Sequence, residues 1–211
     1  MKIISHRGYW HVGNEKNTMA AFERSFSMGF GTETDIRDYN GDLVISHDVP
    51  SKNSLPLAEF LNIYSQYDNK LQLALNIKAD GLQSLLKKYI DKYSLSEYFV
   101  FDMSIPDLLG YVELKLNPYY RISEYEVEST LTPLSSGIWL DGFNSSLIDE
   151  NRIEKYLNDG LSVCIVSPEL HGLEYMGIWS KIKGFDQSIL TSNKLTLCTD
   201  IPERALEMFY E

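Results

Sequence analysis

The feature that most limits what this chain can fold into is a regular exchange between short apolar runs and longer amphipathic ones. Residues 2–5, 32–37, 71–77, 98–101, 119–122, 138–140, 162–166 and 195–198 are short runs with the character of buried strands. Between them, 19–26, 57–67, 82–93, 105–116, 147–157, 174–182 and 203–210 repeat apolar side chains at helical spacing. Strands in sequence joined by helices pair parallel, because only a crossover of a dozen or more residues returns the chain to the same edge. Eight such units predict an α/β fold, a (β/α)8 TIM barrel near the small end of its size range, as one compact domain over residues 1–211. The fifth unit is the least regular, since 123–136 shows no clear helical pattern. An open sheet that binds a dinucleotide is disfavoured, because no Gly-x-Gly-x-x-Gly follows the first run.

Local punctuation agrees with this division. Asn17 or Thr18 caps the first helix, and Gly29 and Gly31 end it. Asn40-Gly41 predicts a tight hairpin that returns the chain along 43–46, followed by a loop over 49–55. Pro106 and Pro202 suit the first turns of their helices.

Three Trp, fourteen Tyr and nine Phe, with 44% apolar residues, supply a full core without disulfide or metal. Cys164 and Cys198 each lie inside an apolar run, which predicts two buried free thiols. A net charge of −11 argues against a nucleic-acid partner, since phosphate binding needs a concentrated basic surface. No run approaches the ~20 apolar residues of a transmembrane segment, and no secretion signal precedes His6. The expectation is a cytoplasmic chain.

In a barrel of this kind functional groups gather where strands end. The first strand ends in His6-Arg7, the second carries Glu33 and Asp35, and the hairpin arm ends in His47-Asp48. The third offers Asn76 and Lys78, and the fourth offers Asp102. Later strands end near Asp141, Glu169, His171, Thr199 and Asp200. Glu33 and Asp35, two apart on a strand, face the same side with Cα atoms ~7 Å apart, close enough for one metal ion. Each pair alone fits a solvated strand face or a turn. Together, one rim mixing histidines, carboxylates and basic groups points to phosphate chemistry: carboxylates for a hard cation, basic groups for phosphoryl oxygens, imidazoles for protons.

These residues resemble a known signature. His6-Arg7-Gly8, Asn17-Thr18 with Ala21-Phe22, Glu33-x-Asp35, Gly41 and His47-Asp48 are similar to the motifs of the glycerophosphodiester phosphodiesterases. That family belongs to the phosphatidylinositol-phospholipase-C-like phosphodiesterases, which are TIM barrels. The match is dense over the first 48 residues and returns at Thr199-Asp200-x-Pro202. The resemblance implies metal-dependent hydrolysis of a glycerol-type phosphodiester to an alcohol and a phosphomonoester, glycerol 3-phosphate. It implies His6 and His47 as the acid–base pair, Arg7 and Lys78 as substrate-binding residues, and Glu33, Asp35 and Asn76 as ligands of Mg²⁺ or Ca²⁺, with Mn²⁺ as a further option. It also implies that a neighbouring hydroxyl attacks first, giving a cyclic phosphate that water opens.

Three positions depart from the family pattern. Asn76 stands where the family has the Glu of Glu-Ile-Lys, which removes one negative charge from the metal set; Glu169 or Asp102 are candidates to restore it. Lys16 stands where the family's Glu-Asn-Thr has Glu. Few residues separate His47-Asp48 from the helix at Leu57, so there is no large capping insertion and the mouth is expected to be open. The departures keep two alternatives in view. One is a phosphodiesterase for another head group or for a glycerol-phosphate-decorated polysaccharide. The other is a catalytically weakened protein that binds a phosphate ligand.

Overall fold

The computed structural model describes residues 1–67, 70–144 and 147–211, in two compact units, Ser5–Pro118 and Met1–Ile4 with Tyr119–Glu211. In the Ser5–Pro118 unit the chain leaves β1 (Lys2–His6) and passes through α1 (Met19–Ser27) into β2 (Gly31–Tyr39). Asn40 and Gly41 both hold positive φ, 51° and 83°, the geometry of a hairpin turn whose twist suits the strands it joins. They return the chain antiparallel through β3 (Asp42–Ile45), on which β4 (Leu55–Pro56) pairs in turn. α2 (Leu57–Tyr64), β5 (Leu73–Ile77), α3 (Gln83–Tyr93), β6 (Tyr98–Phe101) and α4 (Ile105–Glu113) follow. β5 lies parallel to β2 and β6 parallel to β5, with Asp35 opposite Asn76 and Asn76 opposite Phe101. A parallel bridge from Val100 to Pro118 continues this ladder. β5 and β6 are buried on both faces, which is why they read as unbroken apolar runs. Phe22 and Phe26 of α1 pack on Phe60 and Tyr64 of α2, with Phe22 and Phe60 edge to face at 4.6 Å between ring centres.

The other unit holds β7 (Tyr119–Ile122), β8 (Gly137–Leu140), α5 (Glu150–Asn158), β9 (Ser162–Val166), α6 (Met176–Lys183), α7 (Gln187–Leu190), β10 (Leu195–Thr199) and α8 (Pro202–Tyr210). Its four strands are parallel in sequence order, with Ile122 opposite Leu140 and Leu140 opposite Ile165. Trp179, Tyr156, Ile153 and Ile182 form its buried centre. Cys164 and Cys198 are buried and free, as expected.

The strand-and-helix alternation is that of the (β/α)8 class, with local differences that have physical causes. Residues 123–136 carry only a 3-10 turn at Thr132–Leu134 and no α-helix. There the Ser123 hydroxyl accepts from the backbone N–H of Tyr125 and Glu126 at 3.2 and 3.1 Å, closing a turn in place of a helix. The helix expected over 147–157 starts at Glu150, because Asp149 caps it by accepting from Arg152 N at 3.2 Å. The helix expected from 174 starts at Met176, since the Glu174 carboxylate accepts from the N–H of Met176 and Gly177. Residues 55–56 form β4 where a loop and helix start were expected, and α7 has no counterpart in the sequence pattern. Among the described residues no helix is long and apolar enough to cross a membrane.

Candidate active site

The Ser5–Pro118 unit gathers charged groups at the carboxyl ends of β1, β2, β5 and β6. Asp35 is at their centre and fully buried. Its Oδ2 accepts from Asn17 Nδ2 at 2.8 Å and lies 3.2 Å from Arg7 Nε, while Lys78 Nζ lies 3.4 Å from Oδ1. Lys78 Nζ is also 3.8 Å from Asp102 Oδ2. Glu33, one pleat back on β2, is 1% exposed and accepts from Arg7 N at 3.2 Å; His6 Nε2 lies 3.9 Å from the same oxygen. Both carboxylates therefore face one side of β2, as alternation along a strand requires.

The backbone around them is held in uncommon conformations. Arg7, Asn17 and Asp102 have φ of 59°, 59° and 69°, in the left-handed region that L residues seldom enter. Gly8 follows Arg7 at φ 81°, and its N–H donates to Thr32 Oγ1 at 2.9 Å. Asn17 N donates to Arg7 O at 2.8 Å, and Thr34 Oγ1 donates to Asn17 Oδ1 at 2.9 Å. One asparagine thus ties the end of β1 to the face of β2. Thr18, not Asn17, caps α1.

Burial sets the electrostatics. The Glu33 carboxyl is pushed up to about 8, first by desolvation and then by the neighbouring Asp35 charge, with Arg7, Lys78 and a hydrogen bond from Asn76 pulling the other way. Asp35 Oδ1 and Asn76 Oδ1 are buried and accept no hydrogen bond, and Arg7 Nε is not aligned to donate one. Two buried oxygens that accept no hydrogen bond, beside the Glu33 carboxyl, are the kind of donor a hard cation takes. Glu33, Asp35 and the amide oxygen of Asn76 fit such an ion in donor chemistry. Among the described residues no group of three or more His, Cys, Asp or Glu side chains could hold a metal.

His47 lines a cleft of about 770 Å³ together with Arg7 and Asn17. Its ring is half-exposed, with Nδ1 2.9 Å from Asp48 Oδ1, and Arg37 donates to its carbonyl through Nε and Nη2. His6, Arg7, Glu33, Asp35, Asn76 and Lys78 are brought together, and His47 reaches the same cleft as Arg7. Sequence reasoning gives Asn17 a capping role and misses its grip on Asp35; the Asn-Thr pair alone carries no sign of which residue caps. Asp102 proves to be a partner of Lys78.

Candidates from the later strands lie in the other unit. Glu169 accepts from the hydroxyls of Ser167 and Thr199 and from Asp200 N, so its oxygens are occupied within that unit. His171 Nε2 is 2.7 Å from Asp141 Oδ1, and its ring lies 4.8 Å from that of Phe143.

No protein-family model and no curated protein sequence matches the chain. Solved structures do. A glycerophosphodiester phosphodiesterase from Parabacteroides distasonis shares 17% identity at a TM-score of 0.72, over 99% of this chain and 96% of that one. An Oleispira antarctica phosphodiesterase, in complex with the product sn-glycerol-3-phosphate, shares 16% identity at 0.68, over 100% and 97%. A Ca²⁺-dependent phosphatidylinositol-specific phospholipase C from Streptomyces antibioticus shares 9% identity at 0.56, over 99% and 96%. Along nearly its whole length, then, the chain has the fold of the glycerophosphodiester phosphodiesterases, a (β/α)8 barrel.

Proposed function

We propose that the chain is a phosphoric diester hydrolase acting on a glycerol-type phosphodiester and releasing an alcohol and glycerol 3-phosphate. The observation that carries this reading is the convergence of Arg7, Lys78 and Asn76 on the buried Glu33 and Asp35 carboxyl pair, where Asp35 Oδ1 and Asn76 Oδ1 accept no hydrogen bond. The activities reported for the two phosphodiesterases of the same fold support it.

A divalent ion, Mg²⁺ or Ca²⁺ with Mn²⁺ as a further option, would be held by Glu33, Asp35 and Asn76 and would supply Lewis-acid stabilisation of charge on the phosphoryl oxygens. The Ca²⁺ dependence of the phospholipase C of this fold supports that choice. The remaining work falls to side chains. Arg7 and Lys78, already placed by Asp35, bind non-bridging oxygens as charge accumulates there. One imidazole of the His6 and His47 pair takes the proton of the glycerol hydroxyl as its oxygen bonds to phosphorus. The other donates a proton to the departing alkoxide, whose high pKa makes that donation the demanding part. A cyclic phosphate results, and the pair exchanges roles as water opens it. Histidine's ordinary pKa, about 6.5, serves both halves. The reading includes a single catalytic domain over residues 1–211, a small-molecule substrate and no nucleic-acid partner. It also includes a cytoplasmic setting, which the two free buried thiols support.

Hydrolysis of bis(p-nitrophenyl) phosphate and glycerophosphocholine, with Mg²⁺, Ca²⁺ or Mn²⁺ and then with EDTA, tests the reading. Turnover that EDTA abolishes is expected, and His6→Ala and His47→Ala should each remove it while the protein stays folded. Full activity in EDTA would reject the cation, wild-type kcat in either histidine variant would reject the acid–base pair, and no turnover of any diester would favour a phosphate-binding protein.

A further inference from the structure

The cleft that His47 shares with Arg7 is larger than the proposed chemistry requires. At about 770 Å³ it lies in the range that holds drug-sized ligands, roughly 300–1,000 Å³, and a single glycerol diester does not fill it. Arg7 and Asn17 belong both to its wall and to the carboxylate cluster, so the cleft leads away from the scissile position. Its lining is also less acidic than the chain as a whole. Arg7, Lys16 and Lys52 face Asp48 and Glu59 there, whereas the whole chain carries 30 acidic side chains against 19 basic ones. Asp48 is turned to His47 and Arg7 to Asp35, which leaves Lys16 and Lys52 as the cations that a ligand would meet, with Glu59 as the remaining carboxylate of the lining.

Neither Lys16 nor Lys52 has a carboxylate partner among the described residues. Lys16 is nonetheless positioned: its Nζ lies 4.3 Å from the Trp10 ring centre, and Trp10 Nε1 donates to His6 O at 3.1 Å.

We propose that this cleft is a second anion subsite, in which Lys16 and Lys52 bind a further phosphate carried by the alcohol half of the substrate. The proposal rests on the diesterase reading and names its substrate class: a diester whose alcohol is itself a phosphorylated polyol. Two sources share that chemistry, a repeating glycerol phosphate and a phosphorylated ring such as inositol phosphate.

The experiment uses the full chain and two ligand pairs, glycerol phosphate dimer against trimer and glycerophosphoinositol against its 4-phosphate. Both kcat/KM and calorimetric affinity are measured for the wild type, the Lys16→Ala/Lys52→Ala double variant and Lys88→Ala, which removes an exposed lysine outside the cleft. The ligand with the extra phosphate is expected to be preferred in at least one pair. That preference should fall roughly tenfold in the double variant, persist in Lys88→Ala and fade as NaCl is raised. Which pair shows it identifies the source. Equal handling within both pairs, or a double variant that keeps the wild-type preference, overturns the subsite. Turnover without lysine-dependent preference removes the subsite and keeps the hydrolase; lysine-dependent binding without turnover does the reverse.

Discussion

Gly8 shows how tightly single residues are constrained here. It holds φ 81°, and a Cβ added there would lie 2.7 Å from Ala21 Cβ and 2.8 Å from the Ala21 carbonyl carbon. Gly41 has a similar φ of 83° with nothing within 4 Å. Gly8→Ala is therefore expected to cost about 3 kcal/mol, strain plus clash, and Gly41→Ala about 1 kcal/mol, strain alone. Urea unfolding of the two variants separates these contributions, and equal losses would contradict the close approach of α1. Glu33 is the second residue with a measurable signature. Its carboxyl titrates near 8 in the folded chain against an ordinary 4.5, with burial as the main cause. The folded state then holds a proton that the unfolded state has released, so the contribution of Glu33 to stability should fall as pH rises through that interval and be constant on either side. Glu33→Gln should flatten the profile of Tm against pH in EDTA and exceed the wild type in stability near pH 8. A variant that kept the wild-type slope would assign the effect elsewhere.

Elements position these residues through their ends. β2 presents Glu33 and Asp35 on one face, and the β2–β5 register places Asn76 beside Asp35. The turn between β1 and α1 contributes Asn17, and the residue after β6 contributes Asp102. In the other unit Glu169 joins the end of β9 to the end of β10 through Ser167, Thr199 and Asp200 N. Glu169→Gln places an amide donor against hydroxyl donors, and a loss of about 1–3 kcal/mol in unfolding free energy is expected. Cation affinity measured by calorimetry should not change. If it dropped, Glu169 would be the carboxylate that Asn76 does not supply.

At the scale of the whole molecule, the proposed cation binding would be linked to folding, because the donors assigned to it on β2 and β5 come together only in the folded chain. A divalent ion at a hundred times its Kd should add about 2.7 kcal/mol, a rise in Tm of several degrees for a chain of this size. EDTA should reverse the rise and Asp35→Asn should abolish it; an equal rise in Asp35→Asn would place the ion elsewhere. Much of this was legible in the sequence. Strand and helix periodicity, the Asn40-Gly41 turn and the pairing of Glu33 with Asp35 on one face follow from local rules of backbone geometry. So does the grouping of residues at strand ends, once the (β/α)8 class is accepted. Capping and partner choice were not legible. Asp149 and Glu174 delay their helices by competing for backbone N–H groups, Asn17 leaves its cap position to hold Asp35, and Glu169 accepts from the hydroxyls of Ser167 and Thr199. Sequence by itself determined which groups lie near the ends of strands, because side-chain direction repeats every two residues along a strand. Only the tertiary structure decided which of them meet, since a buried charge or oxygen is satisfied by whatever donor lies within about 3 Å, and that distance depends on chain segments far apart in sequence.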